Sequence, residues 1–137
     1  MRASFVIGMV GVFLGLQAVT VHAADVAQPA PPFVVPVGGD GIQRAAMTLD
    51  SYSYTPNHLV VESGKPVELT LTSATIIMPH NFLIKELSIE QDVSAGKTVV
   101  VKFTPAQPGL FSIYCDKRLW PMPSHRDKGM EGTLEVK

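Results

Sequence analysis

Residues 67–72 read Val-Glu-Leu-Thr-Leu-Thr, and this short run decides the fold class. Apolar and polar side chains alternate at every step. Successive side chains of an extended chain point to opposite faces, so the run reads as a strand with one face on a core and the other toward water. Ser63-Gly64-Lys65-Pro66, just before it, is a turn sequence. Further along, Val99, Val101 and Phe103 alternate with Thr98 and Lys102, with Val100 breaking the pattern. Phe111, Ile113 and Cys115 alternate with Ser112 and Tyr114, and Leu134 and Val136 with Glu135 and Lys137. Ala95-Gly96-Lys97 and Gln107-Pro108-Gly109 punctuate these runs as turns. No segment sustains a 3.6-residue apolar period and no internal repeat exists. Short strands at regular intervals predict an all-β sandwich or barrel.

The chain of 137 residues has the length of one domain. Its start has a different character. Met1-Arg2 precedes an uncharged apolar run from Phe5 to Leu16, and Val21-His22-Ala23 offers small residues for cleavage. This predicts a signal peptide over residues 1–23, with an uncleaved anchor as the alternative. The run falls short of the roughly 20 apolar residues that cross a bilayer. Residues 24–41, with Pro29, Pro31, Pro32, Pro36, Gly38, Gly39 and Gly41, are expected to form a flexible or extended leader. The domain proper is expected over residues 42–137.

Cleavage would remove Arg2 and leave 10 basic against 12 acidic residues, a net charge of −2. Without a basic stripe, nucleic acid is not an expected partner. Export implies an oxidising, periplasmic location where disulfides form, yet Cys115 is the only cysteine. A lone thiol there needs burial, a second chain or a metal.

Residues 114–132, YCDKRLWPMPSHRDKGMEG, gather that thiol with His125, Met122 and Met130. Alternation places Cys115 at the end of one inward strand face. It also places His80, after Pro79, at the start of another with Phe82 and Ile84. Two such groups can meet at one pole of a sandwich. Two imidazoles, a thiolate and a weak thioether suit a trigonal copper site with a long axial methionine. The candidate ligands are therefore His80, Cys115, His125 and Met130, with Met122 a competitor for the axial place. Met78 and Met122 flank the expected site, as core packing or as an auxiliary thioether site. His58 reads as a surface turn residue.

These residues resemble the cupredoxins, the small blue (type 1) copper proteins that include plastocyanin and azurin. The likeness rests on Pro79-His80-Asn81-Phe82, on Gly109-Leu-Phe-Ser-Ile-Tyr-Cys115, on His125 and on Gly129-Met130-Glu131-Gly132, with support from YTPNHLVVESGKPVELTLTS at residues 54–73. It implies a Greek-key β-sandwich of seven or eight strands and one copper per chain on His80, Cys115, His125 and Met130. It also implies that Asn81 pins the ligand loop. One departure is plain: nine residues, DKRLWPMPS, separate Cys115 from His125, where the family commonly has only a few. A longer loop adds little closure entropy, so the insert does not exclude the site.

The expected function is one-electron transfer between redox partner proteins. The alternative is copper binding, delivery or resistance in the periplasm, with copper-trafficking proteins as partners. An enzyme is not expected, because no acid–base pair or phosphate loop appears. Membrane association is expected only through an uncleaved N-terminal segment. Lys117, Arg118, Arg126, Lys128 and Trp120 form either a solvated loop or a docking surface for an acidic partner.

Overall fold

The computed structural model describes residues 29–137. The expected signal peptide, residues 1–23, lies outside them. The described residues form an all-β sandwich of ten strands with two single-turn 3-10 helices. The strands are β1 (Phe33–Val34), β2 (Gln43–Asp50), β3 (Ser53–Thr55), β4 (His58–Val61), β5 (Val67–Ser73), β6 (His80–Ile84), β7 (Ile89–Val93), β8 (Thr98–Phe103), β9 (Gly109–Tyr114) and β10 (Glu131–Val136). The count exceeds the expected seven or eight because β1 and β3 are two and three residues long, too short to leave a periodic signature.

One sheet has the order β1-β4-β10-β9-β6-β7 and the other β3-β2-β5-β8. Strands consecutive in sequence, such as β4 and β5, lie in opposite sheets, as Greek-key sandwiches require. The run that set the fold class becomes β5 at the centre of the smaller sheet. It pairs in parallel with β2 and antiparallel with β8. Val67, Leu69 and Leu71 are fully buried there, and they meet Met47 and Leu49 of β2 and Phe82, Ile84, Ile113 and Leu134 of the facing sheet in one core. Val100, the exception in the pattern of β8, is half exposed.

The chain before residue 42 joins this sandwich. Phe33 and Val34 pair with Leu59 and Val60, the Val35 N–H donates to the Val60 carbonyl at 2.9 Å, and Val35 is buried. Gln43, a polar residue with no exposed surface, ties β2 to the turn after β4. Its Oε1 accepts from the Glu62 N–H at 2.7 Å and its Nε2 donates to the Glu62 carbonyl at 3.0 Å. A buried amide satisfied on both sides costs little and fixes register. His58 is the first residue of β4 rather than a turn residue. It is half-buried, and its Nε2 lies 3.2 Å from Glu135 of β10.

The close approach of β10 to the segment before β4 depends on Gly132. A Cβ there would lie 2.6 Å from the Asn57 carbonyl oxygen, which already accepts the Thr133 N–H at 2.7 Å. Backbone on both sides leaves no flexible side chain to yield. Gly132→Ala is therefore expected to destabilise the protein by about 1–3 kcal/mol, the cost of forcing an extra carbon into packed structure. Urea unfolding of the two proteins measures it, and an unchanged midpoint would contradict the close approach.

Candidate metal centre

β6 and β9 bring the first two donors together. His80 opens β6, and Cys115 follows directly after β9. Both are fully buried at one end of the sandwich. His125 comes from the loop that leads into β10. The imidazoles of His80 and His125 and the thiol of Cys115 each offer one donor atom, and all three atoms lie within 4.8 Å of one another. The Cys115 Sγ to His125 Nδ1 distance is 3.4 Å, and the ring centroids of His80 and His125 are 5.1 Å apart.

The polar groups around His80 decide which ring nitrogen is free. The Thr75 hydroxyl donates to the Met78 carbonyl at 2.6 Å. With its one hydrogen used there, Thr75 Oγ1 can only accept from His80 Nε2, which sits 3.4 Å away. The proton therefore resides on Nε2 and a bare lone pair on Nδ1. That Nδ1 is buried and has no hydrogen-bond partner, the only such side-chain nitrogen or oxygen among the described residues. An orphaned buried acceptor is costly unless something else binds it. Beside a thiol and a second imidazole, that something is a soft cation.

Burial favours the neutral form of both imidazoles. Desolvation lowers the pKa of His80, reinforced by the neighbouring His125, and desolvation likewise lowers that of His125, with Lys128 adding to it. Burial also pushes the Cys115 thiol above its ordinary value, against the pull of the Asn81 and Lys117 backbone hydrogen bonds. The metal-free centre thus holds a thiol, whose proton must leave when a metal binds.

Asn81 fastens the two strands at this point. Its Nδ2 donates to Asp116 Oδ1 at 2.7 Å and its Oδ1 accepts the Asp116 N–H at 3.1 Å. The Asn81 N–H points at Cys115 Sγ at 3.4 Å, and the Asn81 carbonyl accepts the Tyr54 hydroxyl at 2.6 Å. A buried side chain thereby holds the cysteine on one side and the first histidine on the other.

The nine-residue insert folds aside. The His125 N–H donates to the Lys117 carbonyl at 2.8 Å, so the chain leaves at Lys117 and returns beside it. Leu119 to Met122 closes a turn within the excursion. Ser124 and Asp127 then exchange hydrogen bonds in the manner of a capping box, with Oγ to Oδ2 at 2.7 Å and the Asp127 N–H to Oγ at 3.2 Å. This fixes the turn Arg126–Lys128 that carries His125. In space Cys115 and His125 are separated as if the loop were short.

Met130 and Met122 have different surroundings. Met130 is fully buried and packs in the core cluster that holds Cys115; its N–H donates to the His125 carbonyl at 3.0 Å and its carbonyl accepts the Cys115 N–H at 3.3 Å. Met122 is about half exposed and lines a groove of about 390 Å³ with Met78 and His125. Trp120 is 80% exposed and does not cover the centre.

Tyr52 was not legible as part of this region. It lies in the turn between β2 and β3 at φ 89°, after Ser51 at φ 38°. Both are left-handed values that β-hairpin turns usually assign to Asn or Gly. The Tyr52 ring meets the His125 ring edge-on at 5.1 Å, and Lys128 Nζ lies over the tyrosine ring and bonds its hydroxyl at 3.0 Å.

A β-sandwich with a buried His-Cys-His cluster at one pole defines a cupredoxin-type centre able to bind one copper. A family model described as the cupredoxin-like domain matches residues 17–134, and the chain belongs to that family. Two cytochrome c oxidase subunits 2 from Thermus thermophilus are 29% identical over 87 residues, or 64% of this chain. The match spans 60% of one subunit and 48% of the other. Among solved structures, the chain is similar to the metal-binding domain of the Cu(I)-exporting P-type ATPase of Streptococcus pneumoniae (20% identity, TM-score 0.59, 78% of this chain and 96% of that one). It is also similar to auracyanin A, a blue copper protein of Chloroflexus aurantiacus (16% identity, TM-score 0.58, 71% of this chain and 100% of that one). These structural likenesses concern the fold.

Proposed function

We propose that the protein is a one-electron carrier whose copper is held by His80, Cys115, His125 and Met130. The observation that carries this reading is the lone pair on His80 Nδ1, buried without a partner beside a thiol and a second imidazole. Copper, when bound, supplies the one-electron couple; the chain supplies donors that suit both oxidation states and need not move between them. Burial of all four side chains, three of them with no exposed surface, supports a carrier over an enzyme. The signal-like start supports export, and the pairing of β1 with β4 supports a domain that begins before residue 42.

The surface around His125 supports contact with a redox partner through apolar groups. Ile76 is 87% exposed and Ile77, Leu119 and Trp120 nearly as much, all at or beside the groove. Such exposure is the mark of an interaction face. The basic residues are less available than their number implies: Lys117 pairs with Asp92 at 2.7 Å, Arg126 pairs with Glu131 and stacks on Tyr114, and Lys128 binds Tyr52. An oxidase is one class of partner consistent with the relatives.

A visible and electron paramagnetic resonance spectrum of the copper-loaded protein tests the reading. An intense thiolate-to-copper charge-transfer band is expected, and a colourless Cu(II) protein refutes it. Met130→Leu is expected to keep the band and shift the reduction potential, as loss of a weak axial donor should; complete loss of copper from this variant would assign Met130 a stronger role. Copper handling is the second reading, favoured by two partly exposed methionines beside the centre and by the likeness to a Cu(I)-exporter domain.

A further inference from the structure

The centre is sealed. His80, Cys115 and Met130 have no exposed surface and His125 has 7%. Of these four, only His125 lines the groove that opens to solvent, so an incoming ion reaches the donors past its imidazole. The two flanks of that path come from the loop before β6, with Ile77, Met78 and Pro79, and from the insert, with Leu119, Met122 and Pro123.

The methionines divide sharply. Of the four among the described residues, Met47 and Met130 are fully buried in the core. The other two, Met78 and Met122, come from separate loops and line this one groove together, each only partly covered. Core packing does not account for them. Thioethers are soft, neutral donors that favour Cu(I) over harder cations. Methionine is unbranched, with three rotatable bonds, so a thioether sulfur has wide reach within such a groove.

We propose that Met78 and Met122 form an outer capture site for Cu(I), which holds the ion at the mouth of the groove and hands it inward past His125. The hand-over is ligand exchange without redox change. Copper–thioether bonds break as bonds to imidazole nitrogen and the Cys115 sulfur form, and the thiol proton leaves to water. The capture half stands on the groove alone; the hand-over half rests on the copper centre proposed above.

Two experiments on the full chain test it, both with Cu(I) under anaerobic conditions. The first measures the rate at which a chromogenic Cu(I) chelator complex loads the metal-free protein. Met78→Leu/Met122→Leu keeps the groove apolar and is expected to load slower by about tenfold, the low end of what losing a metal-supporting side chain costs, while the oxidised visible spectrum is unchanged. An unchanged loading rate overturns the proposal. The second uses Cys115→Ser/Met130→Leu, which removes the inner sulfur donors. This variant is expected to retain one weakly held Cu(I) with sulfur neighbours in X-ray absorption, lost on adding the two leucine substitutions. A folded variant that shows no sulfur neighbour overturns the capture site. Sulfur-bound Cu(I) in that variant together with a colourless wild-type Cu(II) protein sustains capture and refutes the electron-carrier reading.

Discussion

Cys115→Ser is expected to abolish the charge-transfer colour of the Cu(II) protein and to weaken copper binding more than any other single substitution. The thiol is the one soft anionic donor the cluster can offer, since both imidazoles are neutral and Met130 can bring only a thioether. A serine hydroxyl is a hard donor with a far higher pKa, and it loses the sulfur that receives the Asn81 N–H at 3.4 Å and faces His125 Nδ1 at 3.4 Å. The fold should survive, because the side chain is small and the core around Ile113 and Leu134 is untouched. Absorbance after copper loading, with circular dichroism as the folding control, checks both halves. A coloured serine variant would remove Cys115 from the proposed ligand set.

Phe82→Ala should produce the largest loss of stability, about 3–5 kcal/mol as is typical when a buried aromatic is truncated. Phe82 has no exposed surface, sits in β6 two residues after His80, and packs edge-on against Tyr54 at 6.2 Å. β6 is fully laddered to β7 on one side but weakly held on the other. Its ladder to β9 has one register pair, Leu83 with Tyr114, so the strands that carry His80 and Cys115 are joined largely by the Asn81–Asp116 hydrogen bonds and by the core beneath them. A domain stable by 5–15 kcal/mol can lose this much and remain folded only marginally. Urea unfolding measures the loss. A cost below about 1 kcal/mol would mean that the space collapses and that Phe82 does not hold β6 in place.

The two substitutions also mark what could be read from the chain. Alternation in β5, β8, β9 and β10 was legible because each lays one face on the core and the other toward solvent. For β6 the alternation put His80, Phe82 and Ile84 on an inward face, but all five of its residues are buried, so no polar face marks the strand. β1 and β3 are too brief to carry a pattern, so the strand count fell short. The convergence of His80 with Cys115 and His125 was legible because residue type and strand end agreed with a family pattern. Thr75, which sets the tautomer of His80, was not, because a lone threonine in an irregular loop has no distinguishing signal. Tyr52 was hidden for a related reason: sequence does not reveal that a tyrosine occupies a left-handed turn position, nor that the turn lies across the sandwich end from His125. The docking-surface alternative for Lys117, Arg118, Arg126 and Lys128, in and just after the insert, assumed that they were free. The structure engages three of the four, through partners distant in sequence such as Asp92 and Tyr52.

The hydrogen bond from the His125 N–H to the Lys117 carbonyl separates two properties that vary together when a ligand loop is merely short. What lies between Lys117 and Ser124 is a pendant, closed at this neck and braced beside it by Ser124 on Asp127, and its length need not reach the donors. Chains of this kind can lengthen or rewrite the pendant under selection for a new partner while the chemistry beneath stays constant. A search that demands a fixed Cys–His interval will overlook them, whereas one that asks for the neck will not.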